Sequence, residues 1–152
     1  MKKTPTIRRA TVAELNAIVN REDVIENLGG TLGKVADIRT IEHWERMHPL
    51  TAGDGCMLFL EERPGIYRTD LLFIPRHRTN MQHARAMMTY VFENWGAVGI
   101  YGLTPRHNEI ACRFVEKLPG ALVGVSDDGF YNIYATSRSE WPWLTKTEQT
   151  PN

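Results

Sequence analysis

The sequence has little cysteine, no excess of charge and no long apolar run, and each of these absences excludes a class of protein. Lys+Arg and Asp+Glu number 18 each among the 152 residues, so no overall basic field attracts nucleic acid. The two cysteines, Cys56 and Cys112, predict reduced, partly buried thiols in a reducing compartment rather than a disulfide framework. No apolar run approaches the length of a membrane span. We therefore expect a cytoplasmic protein that binds neither nucleic acid nor membrane.

The histidines do not form a metal-binding pattern either. No cysteine or carboxylate completes a recognised ligand spacing around any of the five: His43, His48, His77, His83 and His107. We expect no metal. We expect His83 to lie at the surface, where contact with a phosphate is a second reading.

The composition is that of one ordinary globular domain. Hydrophobic residues make up 42% and charged residues 24%, and the length suffices for one core. We predict a domain over residues 1–137 and a polar C-terminal tail over residues 138–152. Trp141 and Trp143 in this tail either form an exposed anchor for a partner or fold back on the domain.

Caps and turn residues organise the N-terminal third. Residues 6–10 predict a short strand, and Thr11 followed by Glu14 is a capping box that begins a helix. A second helical stretch is predicted over residues 24–28, where a Gly-Gly pair ends it. The segment before Pro49 has apolar residues at helical spacing, and we expect this proline to end that stretch.

From residue 56 onward, predicted strands alternate with amphipathic helices. The strands are 56–60, 67–74, 99–103, 122–125 and 130–135, and the helices are 82–95 and one capped by Asn108. The face of this last helix that is expected to be buried consists of Ala111, Phe114, Val115 and Leu118. The order β-α-α-β-β-α-β-α-β-β predicts an α/β fold with a central mixed sheet.

Three segments resemble a known family. Residues 72–88 combine a strand, a basic loop and an Ala-rich helix, and residues 108–118 follow the pattern Asn-x-x-Ala-x-x-Phe-Tyr-x-Lys-Leu-Gly with few departures. With the start at residues 7–15, the sequence resembles the Gcn5-related N-acetyltransferases (GNAT) over residues 6–136. The resemblance implies a sheet with splayed middle strands. It also implies an N-acyltransferase that moves an acetyl group from acetyl-CoA to an amine of a small molecule or protein.

The same resemblance implies where acetyl-CoA binds. An exposed helix N-terminus with unpaired N–H groups favours a pyrophosphate, and Arg76 adds positive charge nearby. The pantetheine arm would lie along the free edge of strand 67–74, where the middle strands splay apart. The residues implied are Leu72, Phe73, Ile74, Arg78, Thr79, Asn80, Met81, Gln82, His83 and Asn108.

A carboxylate is expected to take the proton of the amine. Asp70 is preferred over Glu61 and Glu62, because apolar Leu71 and Leu72 follow it and it lies near the expected splay.

The family's general-acid tyrosine is absent, since Val115 stands at its usual position and carries no proton to donate. The strand tyrosines Tyr101, Tyr131 and Tyr134 are candidates to replace it, and Tyr134 is the predicted catalytic residue.

A second reading follows from what the phosphate loop lacks. The family's loop carries glycines that let backbone amides approach phosphate, whereas residues 78–84 contain none. The alternative is therefore a catalytically inactive structural or binding protein of the same fold, such as a phage virion or assembly component. A homodimer or an assembly partner stays open, and failure to bind acetyl-CoA would favour this alternative.

Overall fold

The computed structural model describes residues 5–25 and 35–144. The helices are α1 (Val12–Val19), α2 (Glu22–Ile25), α3 (Asn80–Asn94) and α4 (Glu109–Glu116). The strands are β1 (Arg8–Arg9), β2 (His48–Thr51), β3 (Cys56–Arg63), β4 (Ile66–Leu72), β5 (Gly99–Pro105), β6 (Ala121–Val125) and β7 (Tyr131–Ser137). Short 3₁₀ turns lie at Ile38–Thr40, Trp44–Arg46 and Arg138–Glu140.

Within the described residues the strands form one mixed sheet in the order β1-β2-β3-β4-β5-β7-β6. The β4–β5 pair is parallel, because α3 connects these strands, and the other neighbouring pairs are antiparallel. The predicted α/β class with a central mixed sheet is therefore confirmed.

Helices cover both faces of the sheet. On one face α3 packs on Met57, Phe59 and Tyr67 to form one buried cluster. On the other face α1 packs on a second cluster that includes Leu58 and Leu60. Alternate residues of β3 thus belong to different clusters, as expected for a strand that is covered on both sides.

The N-terminal capping box is confirmed. The Thr11 hydroxyl accepts a hydrogen bond from the Glu14 backbone N–H at 3.1 Å, and the Glu14 carboxylate accepts one from the Thr11 N–H at 3.0 Å. Arg8 donates two further bonds to the same carboxylate. The second predicted helix is present as α2, and residues 26–28 of that prediction lie outside the described residues.

Strand β2 includes Pro49, the residue that the sequence predicted to end a helical stretch, so that prediction is wrong. The Pro49 carbonyl accepts a hydrogen bond from the Ala10 N–H at 3.1 Å, so this residue turns its backbone toward β1. Because the N–H and C=O of one residue point to the same side of a strand, the missing proline N–H costs no bond to β3. A proline is therefore tolerated here, although β2 has neighbours on both sides.

The two tryptophans after β7 fold back on the domain, the second of the two arrangements considered. Trp141 is only 4% exposed and its indole N–H donates to the Thr89 hydroxyl at 2.9 Å. The Arg85 guanidinium lies 4.3 Å from the Trp143 ring centre. Both contacts tie residues 141–143 to the outer side of α3. No helix in the described part of the chain is both long and apolar enough for a membrane span.

Candidate active site

The central feature of the site is a gap between the two parallel strands. The β4–β5 ladder starts at Ile66 and Gly99 and ends at Thr69 and Gly102. Beyond this last pair, β4 continues to Leu72 with only β3 beside it, whereas β5 keeps its pairing with β7. The strands therefore diverge from a vertex at Thr69 and Gly102, as the resemblance implied. Among the described residues, no strand pairs with residues 70–72 on the β5 side.

A cavity of about 760 Å³ occupies this gap. Its walls are β4, β5, β7, α4 and the segment between β4 and α3. The size is typical of a small-molecule or cofactor site.

Helix α4 forms one of these walls, which corrects an expectation about its packing. The four residues predicted to be its buried face, Ala111, Phe114, Val115 and Leu118, are only half-buried and all line the cavity. Cys112, which was not among them, is the buried residue of the helix at 7% exposure. The predicted apolar face is present and borders the cavity, and its residues Phe114 and Leu118 also pack against the cluster on the α3 side.

The cavity extends along the segment between β4 and α3 as far as the N-terminus of α3. Arg76 has φ 61° and lines the cavity. The Thr79 side chain makes no capping hydrogen bond to α3. Instead it bonds the His77 ring at 2.8 Å. Among the described residues no side chain caps this N-terminus. The Asn80 N–H donates to the His77 carbonyl at 3.1 Å, so the uncapped N–H groups are those of Met81 and Gln82.

Five of the twelve residues predicted for the site line the cavity: Asp70, Phe73, Asn80, Asn108 and Tyr134. The other seven lie outside the lining: Leu72, Ile74, Arg78, Thr79, Met81, Gln82 and His83. Leu72 is part of the buried α1-side cluster and Arg78 is exposed. The surface position expected for His83 is wrong, since this side chain is 7% exposed.

Two asparagines organise the rim. The Asn80 side-chain amide is buried and donates to the Ile74 carbonyl at 2.6 Å, so it holds the β4–α3 segment in shape. The Asn108 side chain accepts a bond from the Ala111 N–H at 3.2 Å and caps α4 as predicted.

Asp70 lies one residue beyond the vertex, on the α1 side of the sheet. It pairs with Leu58, which belongs to the α1-side cluster, and residues paired across a ladder share a face. Asp23 and Val24 of α2 line the cavity on this side. Burial raises the pKa of the Asp70 carboxyl above its usual range, and the Arg68 guanidinium opposes part of this rise.

Tyr134 lies on the opposite face, beneath α4. It is 8% exposed, and its hydroxyl donates to the Glu116 carboxylate at 3.2 Å and accepts from the Asn132 amide at 3.2 Å. Burial raises the pKa of this phenol above its usual range. The hydroxyl thus keeps its proton at neutral pH. Val115, at the family's tyrosine position, also lines the cavity.

A polar group around Tyr101 was not foreseen. Tyr101 lines the cavity on the Asp70 side, and burial followed by a hydrogen bond with the Glu62 carboxylate raises its pKa to about 12. Arg68 pairs with Glu62 at 3.4 Å. Glu61 and Glu62, the alternatives to Asp70, are exposed and lie outside the cavity lining. Tyr131 is also outside it, which leaves Tyr101 and Tyr134 as the tyrosines that face the cavity.

Solved structures with the same architecture identify the fold. AAC(6')-Ib in complex with paromomycin and acetyl-CoA has a TM-score of 0.70 and 19% identity over 93% of this chain and 98% of that one. A GNAT-family acetyltransferase from Bacillus anthracis has a TM-score of 0.66 and 16% identity over 88% and 95%. This chain has the GNAT fold.

The GNAT fold confirms the resemblance inferred from three short segments of sequence. The aminoglycoside acetyltransferase AAC(6')-Ib in complex with coenzyme A and kanamycin is a further neighbour, with a TM-score of 0.66 and 20% identity over 89% of this chain and 95% of that one. No protein-family model and no curated protein matches the sequence. At these identities the likeness shows the fold alone, since one fold can carry different functions.

Proposed function

We propose that this protein is an N-acetyltransferase that moves the acetyl group of acetyl-CoA to an amine. The observation that carries the proposal is the cavity between the diverging strands, which connects the unpaired edge of β4 with the uncapped N-terminus of α3. Three of the structural neighbours hold acetyl-CoA or coenzyme A together with an aminoglycoside, which is a polyamine.

The residues present suit a long, anionic co-substrate. The N-terminus of α3 offers N–H groups and the positive end of the helix dipole to a pyrophosphate. Arg76, on the cavity wall, adds a charge-assisted contact. The unpaired edge at residues 70–72 offers backbone hydrogen bonds to the amide groups of the arm.

The two titratable side chains on opposite faces suit the two proton transfers. Acetyl-CoA supplies a thioester, whose C–S bond breaks as the amine nitrogen forms a bond to the carbonyl carbon. Asp70, as the carboxylate, takes the proton that the amine loses. Tyr134 turns its hydroxyl proton from the Glu116 carboxylate to the departing thiolate and regains a proton from solvent, so the protons balance. Asn132 and Glu116 hold the Tyr134 hydroxyl in place.

The non-enzymatic alternative has no observation of its own in the described residues that favours it. The loop lacks glycine, but Arg76 adopts the left-handed φ of 61° that glycine usually supplies. The amine substrate, a homodimer and the compartment stay predictions.

Calorimetric titration with acetyl-CoA tests the proposal directly. We expect binding, and we expect Arg76→Gln to weaken it about tenfold or more because a charge-assisted hydrogen bond to phosphate is lost. Arg39→Gln is the matched control, since Arg39 is exposed and pairs with Asp37 away from the cavity. Absence of binding at millimolar acetyl-CoA overturns the proposal.

The pH dependence of transfer tests the role of Asp70. Its pKa is raised by burial, so kcat/KM should fall as the pH drops through that raised value, where the base becomes protonated. Asp70→Asn should lower kcat about 100-fold or more, remove this acidic limb and leave acetyl-CoA affinity intact. Glu61→Gln changes an exposed carboxylate outside the lining and should keep the wild-type profile. An unchanged acidic limb in Asp70→Asn contradicts the assignment.

A further inference from the structure

Gly102 lies at the vertex, where the backbone conformation does not require a glycine. Its missing side chain leaves a space there. Its φ is outside the left-handed region, so an ordinary residue would fit the backbone of β5 here. A glycine inside a strand weakens it, and often marks a place where a ligand or another backbone approaches closely. A Cβ at Gly102 would lie 3.2 Å from the Thr69 carbonyl oxygen, a contact that a shift of a few tenths of an ångström relieves.

The register shows which space the missing side chain leaves open. Gly102 pairs with Thr69 on one side and Tyr134 on the other, so all three residues share the face beneath α3 and α4. A side chain at Gly102 would narrow the passage between these two neighbours. Without it, the cavity is continuous across the vertex.

The cavity extends past this passage into the domain. Ile100 and Thr136 pair with each other two residues before the vertex, and both line the cavity although they are only 2% and 6% exposed. Met88 of α3, 4% exposed, lines it as well. Two residues of strand correspond to about 7 Å. The cavity therefore continues about that far beyond the point where the strands meet.

The reacting thioester belongs at the vertex if the proposed function is right. The anionic end is held at the α3 N-terminus, and the arm follows β4 back from Phe73 to Thr69, about 13 Å of strand. The acyl group then faces the passage at Gly102. An acetyl group ends there, whereas a longer chain continues between Ile100 and Met88.

We propose that the donor site takes short acyl groups longer than acetyl, such as propionyl and butyryl, and binds them more tightly than acetyl. The inference rests on the proposed function and adds the identity of the acyl group. Ile100 and Met88 give the space apolar walls, and unbranched methionine side chains adapt to chains of different length. Each buried methylene should tighten binding about fourfold until the space is full.

The experiment measures dissociation constants of acetyl-, propionyl-, butyryl- and hexanoyl-CoA by calorimetry without an acceptor amine. We expect propionyl-CoA and butyryl-CoA to bind about fourfold and about fifteenfold more tightly than acetyl-CoA. If acetyl-CoA binds as tightly as the longer donors or more tightly, the inference is overturned while the proposed function stands. If none of the four binds, the proposed function itself fails.

Two variants in α3 distinguish a change in acyl-chain preference from a general loss of stability. Met88→Ala should move the tightest-binding donor toward longer chains, because it deepens the space. Met87→Ala removes a neighbouring methionine that is fully buried and outside the lining, so it should cost stability and keep the wild-type order of donors. An equal change in that order in both variants, or none in Met88→Ala, contradicts the inference.

Gly102→Ala tests the passage itself. The added methyl group should abolish the advantage of butyryl-CoA, so that acetyl-CoA binds at least as tightly as butyryl-CoA. A retained preference for butyryl-CoA in the folded variant contradicts a passage at Gly102. If this variant does not fold, the Met88→Ala and Met87→Ala pair decides the question.

Discussion

Helices α3 and α4 both have an apolar face but very different surroundings. In α3 the apolar residues Ala84, Met87, Val91 and Phe92 are all 0% exposed. In α4 the corresponding apolar face is half-buried and lines the cavity. The difference arises because α3 packs on the closed part of the sheet, whereas α4 lies over the part where β4 and β5 diverge. An amphipathic pattern therefore reports that a face is apolar, but not what covers it.

The N-termini of the helices differ in the same way. Thr11 and Glu14 cap α1 and Asn108 caps α4, whereas no side chain caps α3. The N–H groups left free at α3 lie at the end of the segment that brings Arg76 to the cavity. Helix α3, whose inner face is fully buried, thus lacks the side-chain cap that α1 and α4 have, and this leaves its N-terminus more open to an anionic ligand than theirs.

The largest expected effect is a difference between α3 and α4 in the stability that the protein loses when a phenylalanine is replaced by alanine. Phe92→Ala in α3 should lower the free energy of unfolding by about 3–5 kcal/mol, because it leaves a cavity in a packed core. Phe114→Ala in α4 should cost much less, since its ring borders an existing cavity and touches Phe73. Urea unfolding measures both. Equal losses would show that α4 is as tightly packed as α3.

Ligand binding should reduce the difference in packing between α3 and α4. At 100 times its dissociation constant, acetyl-CoA should stabilise the protein by about 2.7 kcal/mol. Hydrogen exchange of amides in α4 should slow more than that of amides in the middle of α3, because α4 gains a packing partner. The measurement compares both helices with and without acetyl-CoA. Equal protection of the two helices would argue against α4 as a ligand-covering wall.

The N-cap residues of α4 and α3 provide a matched pair of substitutions with smaller expected effects on stability. Asn108→Ala removes the bond to the Ala111 N–H and should destabilise the free protein by about 1 kcal/mol. Thr79→Ala, at the N-cap of α3, removes no capping bond and should cost less. Thermal unfolding of the two variants without ligand checks the order, and a larger loss for Thr79→Ala would contradict it.

The smallest expected effect concerns the fully capped helix α1. The Arg8 guanidinium, with the Thr11 N–H, lowers the pKa of Glu14 to about 2. Because the folded pKa lies below that of the unfolded chain, this stabilisation is present above about pH 4.5 and is lost as the pH falls toward 2. Glu14→Gln should therefore cost less than about 1 kcal/mol at pH 7, and this cost should shrink toward zero as the pH falls through about 2. A pH-independent difference in unfolding would contradict this origin.

Local patterns predicted most of the elements, and the failures arise where contacts with other strands and helices decide. The spacing over residues 82–95 predicted α3, and the Thr11 and Asn108 caps lie where the sequence placed them. Strand β2 was missed because Pro49 lacks an N–H, and only the neighbouring strands show that this N–H is not needed for pairing with β3. His83 has a polar side chain, yet tertiary packing buries it.

The sequence by itself determined the order of helices and strands apart from β2, the caps of α1 and α4, and the resemblance that named the fold, since these depend on residues a few positions apart. Only the tertiary structure decided where the parallel ladder ends, which depends on pairing residues 66–69 with residues 99–102. That register places Asp70 and Tyr134 on opposite faces of the gap and Gly102 at its vertex. Contacts between distant segments set it, and no local pattern encodes them.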